Sequence, residues 1–95
     1  MNYFDERIVV TGVGLTSPLG DNLTTLRENL LAGRSGVTRF PVRNMGDQPA
    51  GVCEFDTTRH QSRKQLRVGT RAGSIGTFCA HEAFADAGIE PTEVD

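Results

Sequence analysis

Between Arg71 and Gly88 the sequence sets Ala72, Gly73, Gly76, Ala80, Ala83 and Ala87 within one stretch of helical pattern. A helix so poor in side-chain bulk lets a neighbouring backbone come very close, and such helices are normally buried between layers. A chain of 95 residues has few layers to offer, because domains usually hold about 100–150 residues. One of this size buries only about 60–65% of the surface its unfolded form exposes. The expectation is therefore a piece of something larger. The helical pattern begins near Gln61 and runs, broken near Gly69, to Ala87. Gly88 supplies a left-handed stop, and Pro91 cannot extend the helix.

Upstream, residues 7–15 read as a strand. Ile8, Val9, Val10, Thr11 and Val13 are β-branched, and the aliphatic run suits a strand covered on both faces. Gly12, Gly14, Pro18 and Gly20 then break regular structure. Asp21 or Asn22 offers an N-cap, and Leu23, Leu26, Leu30 and Leu31 follow on one helical face, closed by Gly33. Residues 34–56 show no sustained period. Val37, Phe40, Val42, Met45, Val52 and Phe55 still call for burial there, and residues 51–55 suit one short strand.

Apolar residues at 37% and charged residues at 23% set the chain apart from disordered and collagen-like sequences. A formal net charge of −2 argues against nucleic acid as a partner. The longest aliphatic run, Ile8-Val9-Val10, is too short to span a bilayer. Residues 1–6 are acidic where a secretory leader would be basic, and two cysteines suit a reducing compartment. Cytoplasm is the expected location. Charge is unevenly placed, however. Residues 34–71 carry eight basic side chains against Asp47, Glu54 and Asp56, a local balance of +5, whereas residues 72–95 carry five acids and no base.

Three chemical readings fail on inspection. Gly12-Val13-Gly14 after a strand invites a dinucleotide-binding loop, but the third glycine is replaced by Ser17, and Pro18 lacks an amide for phosphate. Cys79 and His81 point about 200° apart around a helix and cannot act as nucleophile and base. A structural thiol buried beside Ile75 and Phe78 suits Cys79 better. Cys53 and His60 carry no geometry to argue from, and two Cys with two His lack the paired spacing of a zinc site. The basic stripe is different. Arg59, Arg63, Arg67 and Arg71 recur every four residues, with His60 and Lys64 beside them and no acid interleaved. Like charges at that spacing oppose helix stability, so the stripe points to an acidic partner.

The opening Arg7-Ile8-Val9-Val10-Thr11-Gly12-Val13-Gly14-Leu15-Thr16-Ser17-Pro18-Leu19-Gly20 resembles the start of β-ketoacyl-acyl-carrier-protein synthases. Glu28-Asn29-Leu30-Leu31-Ala32-Gly33-Arg34-Ser35-Gly36-Val37 is similar to the family's first helix and following loop. Arg63-Lys64-Gln65-Leu66-Arg67, leading to Glu82-Ala83-Phe84-Ala85-Asp86-Ala87-Gly88-Ile89, resembles its second helical segment. Val68-Gly69-Thr70 departs from the arginine, methionine and aspartate usual after the basic pair, which blurs the subfamily.

The resemblance implies a thiolase-like fold, an αβαβα layered body of two similar halves. Residues 1–95 would be a fragment of its N-terminal domain, holding only the first part of that half. The implied parent is an acyltransferase that extends chains by decarboxylative Claisen condensation in fatty acid or polyketide synthesis, with no metal or organic cofactor. Its nucleophilic cysteine and assisting histidines would lie beyond Asp95, so this chain alone is expected to be inactive. Neither Cys53 nor Cys79 matches that nucleophile's motif. An acyl carrier protein would dock on Arg63, Lys64 and Arg67, and the parent would be a homodimer. Two other readings remain open on these residues: a non-catalytic partner resembling chain-length factors, and a free-standing carrier-docking module.

Overall fold

The computed structural model describes residues 6–93. In chain order it contains helix α1 (Leu23–Leu31), strands β1 (Val37–Val42) and β2 (Gly46–Gly51), and helices α2 (Arg63–Val68) and α3 (Arg71–Ala87). A 3₁₀ turn, Pro91–Glu93, follows. Residues 1–5 of the expected domain, and 94–95 of its polar end, lie outside the described residues.

Local chemistry accounts for the helix boundaries. The Asn22 side chain accepts from the Thr25 amide at 2.8 Å and starts α1. At the other end Gly33 is left-handed, with φ 71°. Its amide donates to Leu30 and the next, Arg34, donates to Asn29, which satisfies the last carbonyls of α1. The break expected near Gly69 is present: α2 ends there and the Thr70 hydroxyl caps α3 by accepting from the Gly73 amide. Gly88, left-handed again, ends α3 as expected.

The segment read as a strand is not one. Residues 6–16 form no regular element, because no strand lies beside them among the described residues and a strand needs a hydrogen-bonded neighbour. Ile8 and Val10 are almost fully exposed, at 101% and 82%. The backbone instead runs against α3. A Cβ at Gly12 would stand 2.6 Å from the Ala87 nitrogen, and one at Gly14 2.7 Å from that of Ala83, with a carbonyl oxygen closer still in each case. The close approach that the small residues of α3 permit is thus taken up by two glycines of the N-terminal segment.

Residues 34–56 are also more ordered than their pattern suggests. β1 and β2 form an antiparallel hairpin from Val37↔Gly51 to Val42↔Gly46. The strand expected at 51–55 therefore lies at Gly46–Gly51 instead. The chain reverses through Asn44, left-handed at φ 65°, a conformation asparagine tolerates better than most residues. Pro41 pairs with Asp47 and Pro49 with Arg39. Alternation in the ladder turns the amide positions of both prolines outward, so neither inner hydrogen bond is lost.

Burial centres on Phe78, 4% exposed, and Ser74, 7% exposed. The Phe55 ring packs on Phe78 with centroids 4.8 Å apart. Val37, Phe40 and Met45 of the hairpin, expected to need burial, are exposed. The accessible surface is 7935 Å², against about 5,400 Å² for a compact protein of this mass. The radius of gyration, 17.3 Å, likewise exceeds the about 12 Å of a compact chain.

Candidate functional site

α2 begins with a reciprocal cap. Ser62 Oγ accepts from the Gln65 amide at 3.2 Å, and Gln65 Oε1 accepts from the Ser62 amide at 2.8 Å. This fixes the start of a six-residue helix too short to persist on propensity alone. Arg63, Lys64 and Arg67 of this helix are all exposed. None of the three forms an ion pair among the described residues. Arg67 in the last turn suits the helix dipole. Arg63 and Lys64 sit in the first turn, at the positive end, where no acid balances them. That placement works against local stability by a few tenths of a kcal/mol per charge.

The other two arginines of the stripe do not share this surface. Arg59 precedes α2 and pairs with Glu82 of α3. Arg71 opens α3, places its guanidinium 4.6 Å from the centroid of Phe55, and donates to the Cys53 carbonyl. The four-residue repeat therefore does not follow one helix face, because Gly69 and Thr70 turn the chain between Arg67 and Arg71. The outer pair hold the fold, and the three inner cations face solvent. Sequence reasoning missed the acids that do the holding. Glu82 takes Arg59, and Asp86 takes the Val13 amide at 2.9 Å. Their signal was present: they are the two acids within α3, four residues apart on one face.

The cysteine and histidine residues form no nucleophile–base pair. Cys53 and Cys79 are free, and Cys79 is half-buried rather than fully buried. His81 stacks on His60, with centroids 4.4 Å apart. Among the described residues no three His, Cys, Asp or Glu side chains group as a metal site requires. At residues 17–20 a tight turn has closed. The Ser17 amide and hydroxyl both donate to the Gly20 carbonyl, at 3.0 and 2.8 Å, which leaves no cradle for phosphate. Ahead of α2, the Thr58 hydroxyl and amide donate to Asp56 and hold its carboxyl below the usual carboxylate range. No helix among the described residues is long and apolar enough to cross a membrane.

The family described as β-ketoacyl synthase, N-terminal domain, matches residues 5–95. The chain belongs to that family, and is an N-terminal segment of it. It is 35% identical over 92 residues to 3-oxoacyl-[acyl-carrier-protein] synthase 2 of Vibrio harveyi, covering 93% of this chain and 22% of that protein. To 3-oxoacyl-[acyl-carrier-protein] synthase 1 of Haemophilus influenzae it is 33% identical, covering 94% of this chain and 23% of the relative. The tetracenomycin polyketide synthase ketoacyl synthase alpha subunit of Streptomyces glaucescens is 30% identical over 95 residues, which is 96% of this chain and 22% of the relative. The chain thus spans less than a quarter of the length of these relatives. No solved structure gives a significant match. Helices and a two-stranded sheet in one chain agree with a partial α/β fold of the kind this family implies.

Proposed function

We propose that residues 1–95 form the first part of the N-terminal domain of a condensing enzyme, and that α2 is where its acyl carrier protein docks. The parent's reaction would be a decarboxylative Claisen condensation. An acyl group passes from a carrier thioester to the enzyme's cysteine, releasing the carrier thiol. Loss of carbon dioxide from malonyl-carrier then yields a carbanion that attacks the acyl carbonyl and expels the cysteine thiolate. That cysteine belongs to a part of the parent outside these residues, so this chain alone would be inactive. The αβαβα layering and the homodimer are part of the same reading.

One observation carries the docking surface: three exposed cations on one short helix, two of them against its dipole, with no acid in its first turn and no ion pair to any of the three among the described residues. A carrier protein whose surface is acidic supplies that acid. Much of the apolar surface is uncovered, which weighs against a free-standing docking module. The intact mass of the native polypeptide tests the first half of the reading, since a mass near 10.3 kDa would rule out condensation on one chain. Charge reversal at Arg63 and Arg67 tests the second. Carrier affinity should fall and its salt dependence flatten; wild-type values for both would sink the docking assignment.

A further inference from the structure

A cluster at the junction of the turn before α2 with α3 is not used by the docking surface. The His60 and His81 rings are stacked 4.4 Å apart and within 9° of parallel. His60 Nε2 is buried and has no hydrogen-bond partner among the described residues. Glu82 Oε1 lies 3.8 Å from it, and that same oxygen already receives the Arg59 guanidinium. The charged groups facing the stack are Glu82 from α3, and Arg59 and Asp56 from the turn. Phe78 packs beside His60 with centroids 6.0 Å apart.

We infer that the stack is a proton-sensitive latch between the turn at residues 56–62 and α3, closed while at least one imidazole is neutral and open when both are charged. A neutral ring stacks well on a second neutral ring or on a cationic one. Two cationic rings face to face at 4.4 Å repel, and here the local acids cannot offset them. Glu82 is shared with Arg59, while Asp56 is exposed and bonded to Thr58. With both imidazoles charged, Arg59, His60 and His81 carry three positive charges against the two acids in contact with them among the described residues, Asp56 and Glu82. The guanidinium beside Glu82 also makes the cluster a poor seat for a metal cation, so the charge that governs it is the proton. The latched turn runs directly into the Ser62 cap, so opening it loosens α2 and the cations that α2 carries. The latch belongs to the turn and α3, and holds whatever binds α2.

The test is amide exchange on the full-length protein from about pH 8 to about pH 5, the range in which histidine titrates, with intrinsic rates divided out. The Leu66 and Gly69 amides, bonded to Ser62 and Gln65, should exchange roughly tenfold faster at the acid end. The C2–H resonances of both histidines should lose their ring-current displacement over the same range. His81→Phe keeps a stacking ring without the second charge and should abolish the acid response. Equal corrected rates across the range, or an acid response that survives in His81→Phe, would overturn the latch. Should that variant not fold, wild-type ring-current shifts that persist at the acid end would overturn it alone. Carrier affinity is not read, so this outcome is independent of the docking assignment.

Discussion

The Val13 amide donates to the Asp86 carboxylate at 2.9 Å, tying together residues 73 positions apart in sequence. This bond and the glycine contacts around it are what seat the N-terminal segment on α3. Asp86→Ala should lower stability by about 1 kcal/mol, the net value of an ordinary hydrogen bond, because solvent exposure takes away the extra strength of a charged acceptor. Asp86→Asn keeps an acceptor oxygen and should recover part of that loss. Urea denaturation of the full-length protein, with unchanged m-value, would show both.

Gly14→Ala should do more damage than Asp86→Ala. Any Cβ at position 14 collides with the backbone of α3 at Cys79 and Ala83, and backbone cannot rotate aside. Forcing the segment away from the helix should cost about 1–3 kcal/mol in the same denaturation experiment. An equal cost for Gly76→Ala, which faces open space, would refute this account.

Arg71 and Arg63 should separate stability from docking. Arg71→Ala loses the Phe55 ring contact and the bond to the Cys53 carbonyl, and should cost about 1–2 kcal/mol of stability with little change in carrier affinity. Arg63→Ala should do the reverse. Thermal melts and carrier titrations on the same pair of variants would check both halves.

Ser62→Ala removes one arm of the reciprocal cap and should cost about 1 kcal/mol, confined to α2. Exchange of the Leu66 amide should quicken, and carrier affinity should fall although no charge has changed.

The Asp56 carboxyl titrates below its usual range because the Thr58 hydroxyl and amide stabilise its charged form. A depressed folded value means stability that is present above the unfolded value of about 3.9 and lost as pH falls through the folded one. In Thr58→Ala the Asp56 carboxyl should titrate at higher pH. Its side-chain carbonyl ¹³C shift, followed from about pH 6 downward, would show this.

Much of this was legible in the sequence, and the rest failed for definite reasons. α1, the Gly33 stop, the break near Gly69 and the Gly88 stop follow from capping chemistry, which acts within a few residues. The aliphatic run at Ile8-Val9-Val10 has strand composition, but pairing depends on a neighbour that composition does not supply. The hairpin escaped notice because Pro41 and Pro49 sit inside its strands, and proline ordinarily argues against a strand. The basic stripe was visible as a charge pattern. Its division into Arg59 and Arg71, which hold the fold, and Arg63, Lys64 and Arg67, which do not, needed the position of Glu82 and of the Phe55 ring.

Those prolines have a second effect. A hairpin that leaves Val37, Phe40 and Met45 uncovered is the sort of surface on which identical strands stack into fibrils. Stacking needs an unbroken row of outward amides, and Pro41 interrupts that row on one edge while Pro49 interrupts it on the other. While those side chains stand uncovered, the hairpin is thereby guarded on both edges against amyloid growth.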